Sequence, residues 1–190
     1  MRLDELMPAF DATRIETRVI DAPPGIAYDA ALRLDLLDVV RGNPLVKTLF
    51  ALRAAAERVI SRTPPAPEPE ALRLRDLGDR GEWVRLADDP PREFAFGVVG
   101  RFWGGETRWE PIDAQAFTAF DRPGFAKIAA AITLHPYGTR TLMTYEARTL
   151  ATDAASRRAF LRYWRVVSPG VGIVMRATLA ATAEAARRGG

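Results

Sequence analysis

The chain has 190 residues, 48 % of them hydrophobic and 27 % charged, the composition of one ordinary globular domain with enough apolar material for a sizeable core. It has no cysteine and a single histidine, His135, which excludes thiol nucleophiles, disulfides, iron–sulfur clusters, structural zinc and histidine-clustered metal sites. The net charge is only +3, and all but two of the 27 basic residues (Lys47 and Lys127) are arginine, a bias that weakens any single surface arginine as a sign of function.

Residues 1–8 carry Asp4 and Glu5 where a secretory signal has its apolar core, and no stretch reaches the ~18 uninterrupted apolar residues of a membrane span. A cytoplasmic protein is expected. Ile15-Glu16-Thr17-Arg18-Val19-Ile20 alternates apolar and polar residues, the period of a half-buried strand. Ala22-Pro23-Pro24-Gly25 ends it and opens a helix carrying Ile26, Ala30 and Leu34 at helical spacing. Asn43 and Pro44 start a second helix, with an apolar stripe from Leu45 to Ile60. Four prolines between Thr63 and Glu70 exclude helix or central strand and mark 63–71 as an insertion or lid, within a single domain spanning 1–190.

From Trp83 the pattern turns to strands: Trp83–Ala87, a turn at Asp88–Pro91, and Glu93–Gly100. Ala116–Phe120 reads as a further short strand, closed by Asp121-Arg122-Pro123-Gly124. Phe125–His135 and Arg140–Leu150 form a hairpin around Pro136-Tyr137-Gly138-Thr139. With His135 facing Arg140, one face collects Ile128, Ile132, Leu134, Met143, Tyr145 and Ala147, and the other Lys127, Thr133, Thr144, Glu146 and Arg148. A long helix, capped by Thr152 or Asp153, then carries Phe160, Tyr163, Trp164, Val167 and Val171 on one stripe; Ser168-Pro169-Gly170 kinks or restarts it.

The element order, with Val19-Ile20-Asp21-Ala22-Pro23-Pro24-Gly25-Ile26-Ala27-Tyr28, Glu93–Trp103, Pro123–Lys127, Thr144–Arg148 and Phe160–Trp164, resembles the START-like, or polyketide cyclase/dehydrase and lipid-transport, superfamily. The resemblance covers about Ile15 to Ala183. It implies an α+β helix-grip fold: a curved antiparallel sheet wrapped around a long C-terminal helix, with two short helices after the first strand. It further implies a cavity between sheet and helix that in relatives holds apolar molecules, and no single reaction, because this fold hosts carriers, enzymes and regulators.

Phe96, Val98, Phe117, Ile132, Met143, Tyr145, Tyr163, Trp164 and Val167 are the candidate lining, as packed core or as pocket wall. Lys127, Glu146 and Arg148 form a polar group that is either an ordinary cross-strand network or, facing the cavity, a site for an acidic head group; Arg101 beside Phe102 and Trp103 poses the same choice. No Gly-x-Ser-x-Gly elbow or phosphate-binding glycine loop occurs. His135 belongs to a turn, and the acid pairs Asp88/Asp89, Asp35/Asp38 and Glu68/Glu70 to solvated positions. Residues 153–190 hold seven arginines against Asp153 and Glu184, a solvated helix face or an interaction stripe. The expectation is binding, carriage or sensing of a small hydrophobic ligand, without cofactor, metal or nucleic acid. Two alternatives stay open: a cyclase-like enzyme with Arg101, Arg148 or Tyr145 polarising a carbonyl and Glu146 accepting a proton, and an interaction module built on the arginine-rich helix.

Overall fold

The computed structural model describes residues 2–42, 44, 47–48, 73–76, 82–103 and 107–189. The stripe of 45–60 and the proline segment 63–71 therefore lie almost wholly outside the described residues. In chain order the elements are α1 (Arg2–Leu6), β1 (Ala12–Ile20), α2 (Pro24–Arg33), α3 (Leu36–Gly42), a 3-10 turn at Leu74–Asp76, β2 (Val84–Asp89), β3 (Glu93–Arg101), β4 (Arg108–Glu110), α4 (Ala114–Ala119), β5 (Ala126–Tyr137), β6 (Arg140–Ala151) and α5 (Ala154–Gly189). The strands form one antiparallel sheet ordered β1-β6-β5-β3-β2, with β4 on β3. The long helix α5 packs against this open sheet, the α+β helix-grip arrangement that the resemblance implied.

The β5–β6 hairpin is tighter than its sequence suggests. Tyr137 pairs with Arg140, so the connection is Gly138-Thr139 alone. Gly138 has φ +63, and among the described residues no other residue type has positive φ, the signature of a two-residue turn with glycine first. His135 consequently faces Leu142 rather than Arg140, and Lys127 faces Leu150 rather than Arg148. The shift is by two residues, so every side chain keeps its face.

Ala116–Phe120, expected as strand, lies within and just after the helix α4. The Ala116 N–H donates to Asp113 Oδ1 at 2.7 Å, a side-chain cap that commits the next residues to a helical turn. Five residues of alternating character were too few to separate the two periods. Gly97 gives α4 room, since a Cβ there would lie 2.8 Å from the Phe117 ring and 2.7 Å from Leu86.

Helix α5 starts at an N-cap built by Asp153, whose carboxylate accepts from the Ser156 hydroxyl (2.6 Å) and from the N–H groups of Gly124, Ala155 and Ser156. These bonds, the Ser156 hydroxyl first, hold its acid well below the usual carboxylate range. The helix runs unbroken through Pro169 and does not restart at Ser168. Pro169 and Arg165 are both exposed, so the carbonyl that loses its partner faces water. An 18-residue window of α5 has mean hydropathy 1.4, enough by length and composition for a membrane span; in the fold its apolar stripe covers the sheet and α2.

Both sheet faces are covered. The inner face, under α2 and α5, carries two clusters: Ile20, Tyr28, Phe94, Ile132, Leu134, Met143, Leu179 and Ala183 at one end, and Ala12, Phe102, Ala126 and Phe160 with Trp103, Trp109 and Trp164 at the other. The outer face carries Ala95, Val99, Phe117, Ala129 and Ala131, covered by Leu3 and Met7 of the N-terminal segment and by α4.

Candidate functional site

Between the two inner clusters the side chains are only partly covered. Tyr145 and Ala147 on β6, Ile128 on β5, and Trp164, Val167 and Val171 on the α5 stripe all retain accessible surface, while Phe96, Val98, Ile132 and Met143 beside them are buried. The buried four form the floor of this interval, with the Phe96 ring 6.4 Å from Tyr145.

Tyr145 is the polar group of the interval. Burial pushes its hydroxyl up to about 12, the cost of placing a tyrosinate among apolar neighbours. Among the described residues every sealed side-chain nitrogen or oxygen has a hydrogen-bond partner. Among the described residues the Tyr145 hydroxyl has no partner, and the residue keeps some accessible surface. It is placed to donate to a carbonyl or accept from a hydroxyl.

Beside it on β1 lies a charged group that residue alternation does not suggest. Arg14 and Glu16 point under α5: Glu16 Oε1 accepts from Arg14 and, at 2.7 Å, from Arg176 Nη1, and the Arg14 guanidinium lies against Gly172. Glu16 is paired across the strands with Tyr145. The face of β1 is thus opposite to the expectation for a half-buried strand: its charged residues turn inward, and Ile15 and Val19 are exposed. The signal available beforehand was the alternation Arg14-Glu16-Arg18; Arg14 and Glu16 pair on the strand itself, and Arg176 of α5 adds a second cation to Glu16.

The other proposed polar residues lie elsewhere. Lys127, Glu146 and Arg148 are buried on the outer face, away from α5. Arg148 donates to Glu146 Oε1 and to Asp4 Oδ1, each at 2.6 Å, and to the carbonyls of Leu3 and Met7, with its Cζ 4.8 Å from the centre of the Phe10 ring. Lys127 Nζ donates to the Thr118 carbonyl at 2.9 Å, at the end of α4; burial pulls its pKa down. Both cations thus neutralise the C-terminal carbonyls of short helices. Arg101 is exposed at the end of β3, on the outer face. Phe117, fully buried, also belongs to that face. Among the described residues no cluster of acids and histidine could hold a metal ion.

A depression of about 560 Å³ lies apart from Tyr145, where α2, α3 and the end of α5 meet, and includes Asp29, Arg33, Asp38, Arg73 and Arg188. Asp29 and Asp38 are already paired with Arg33 and Arg41.

No family model matches the chain, and no curated protein does. Solved structures that it is similar to include a Mesorhizobium loti protein (13 % identity, 93 % of this chain and 98 % of that one, TM-score 0.43). They also include a conserved Geobacillus kaustophilus protein (9 %, 93 % and 96 %, TM-score 0.43). An aromatase/cyclase from Streptomyces sp. R1128 matches at 13 % identity, over 93 % of this chain and 94 % of that one, with a TM-score of 0.27.

Proposed function

We propose that this chain is a START-like domain that binds a small, largely apolar molecule in the interval between the inner sheet face and α5, in the manner of a carrier or sensor. The observation that carries this reading is the Tyr145 hydroxyl: desolvated, without a partner among the described residues, and on a side chain that is only partly covered beside apolar neighbours. An unpaired polar group in such a place is costly unless something satisfies it. A ligand carbonyl or hydroxyl would do so, while Ile128, Ala147, Trp164 and Val167 contact its apolar body. Nothing in this arrangement supplies a proton acceptor: the carboxylate nearest Tyr145, Glu16, is held by two arginines.

The test is titration with an environment-sensitive naphthyl ketone dye, together with a native mass spectrum of freshly purified protein. Saturable binding is expected, weakened about 2–10-fold by Tyr145→Phe through loss of one hydrogen bond, and abolished by Ala147→Phe, which fills the interval. Absence of saturable binding, or binding indifferent to Ala147→Phe, would sink the proposal.

A further inference from the structure

The reversed face of β1 leaves an apolar strip that nothing in the described chain covers. Ile15 and Val19 are 51 % and 36 % exposed, with Phe10, also exposed, at the head of the same strand. The strand is also the free edge of the sheet. The alternation of the ladder fixes which of its backbone groups are open. Thr152 N–H donates to the Phe125 carbonyl, so even-numbered β6 residues bond β5 and odd-numbered ones bond β1. Those odd residues pair with Ala12, Arg14, Glu16, Arg18 and Ile20. The N–H and C=O groups of Thr13, Ile15, Thr17 and Val19 therefore face outward.

The opposite edge is guarded in the usual ways. Strand β2 is short, has a register break between Arg85 and Ala87, and ends in Asp88 and Asp89. β1 has nine residues, no register break, no proline and no lysine. A long, regular, partly apolar edge is a template for another strand.

We infer that a second copy of this chain pairs with β1, antiparallel, about a two-fold axis at Thr17. The charges choose the register. Centring on Glu16 would oppose Glu16 to its own copy and Arg14 to Arg18, and centring on Arg18 would oppose two arginines. Centring on Ile15 gives an overlap of the same length but sets Val19 against Asp11 and Arg18 against Ala12. Centred on Thr17, Ile15 meets Val19 on the outer face and Glu16 meets Arg18 on the inner face, each twice by symmetry. Arg18 is exposed and forms no ion pair among the described residues. The bonds that Glu16 accepts within the chain all fall on Oε1, which leaves Oε2 for Arg18 of the second copy. Opposite charges and paired β-branched residues are favourable cross-strand neighbours, and two-fold pairing of like edges is the commonest closed assembly.

Light scattering over a concentration series tests this, since it reads mass directly. The unchanged chain is expected at twice the single-chain mass. Val19→Lys and Arg18→Glu, both at exposed positions, are expected at the single-chain mass with unchanged circular dichroism. The chain has no cysteine, so one can be placed at will: Thr17→Cys should cross-link with a short bismaleimide, and Thr13→Cys, about 26 Å from its copy at ~3.3 Å per residue, should not. A single-chain mass at every concentration would overturn the inference. So would a double mass that survives both substitutions, or cross-linking as efficient at residue 13 as at residue 17.

Discussion

Two tyrosines resist ionisation for the same first reason and different second ones. Burial raises both; for Tyr28 the hydrogen bond its hydroxyl donates to Asp88 raises it further, whereas Tyr145 has no such partner. Each folded value lies above the ordinary 10, so between that value and the folded one the unfolded chain has lost the proton and the folded chain keeps it. The unfolded state then binds fewer protons, and stability falls as pH rises. Melting temperature is therefore expected to be insensitive to these groups below about pH 9 and to fall from pH 10 upwards. Tyr28→Phe and Tyr145→Phe should each flatten that fall, measured by melts between pH 7 and 12. An unaltered alkaline slope in Tyr145→Phe would mean that its hydroxyl is hydrated as in the unfolded chain.

Single elements show what sequence can and cannot say. The β5–β6 hairpin was legible because its apolar positions alternate over eleven residues, and a register error of two preserved the face. The final helix was legible for the same reason at a longer period. The short elements were not: α4 is six residues set by the local Asp113 cap, and α1 owes its helical form to partners far along the chain. Glu93 accepts from the Arg2 N–H at 3.0 and 3.1 Å, and Arg148 takes the carbonyls of Leu3 and Met7 at the other end. A five-residue helix is thus held between a carboxylate at its positive end and a guanidinium at its negative end. The same residues, Glu146 and Arg148, looked like catalytic machinery only because a sequence does not say which chain segment lies above them. Arg148→Ala leaves Glu146 buried and unpaired, a change that costs about 3–5 kcal/mol. Denaturant unfolding should show that loss, while the dye affinity of the folded protein stays unchanged. A loss of affinity without a loss of stability would return Arg148 to the ligand.

At the scale of the whole molecule the sheet separates two tasks that usually share one core. Over β3 and β5 its outer face is closed by the chain's own first residues and by α4, so the side chains there, charged ones included, contribute to stability. Its inner face is packed at both ends, and between them lie the partly covered side chains around Tyr145, the interval proposed for a ligand. Substitutions on the two faces should therefore separate the two properties. Leu3, fully buried over the outer face, should cost ~2–5 kcal/mol when changed to alanine and leave dye binding intact. Ala147→Phe should remove dye binding at less than about 1.5 kcal/mol, because it fills space instead of displacing packed atoms. The pair of measurements is decisive in combination. If Leu3→Ala also abolished binding, the outer segment would be coupled to the interval through the sheet. If Ala147→Phe were as damaging as a typical overpacked core, the interval would be closed, and the exposed edge of β1 would be left as the main unsatisfied surface of the fold.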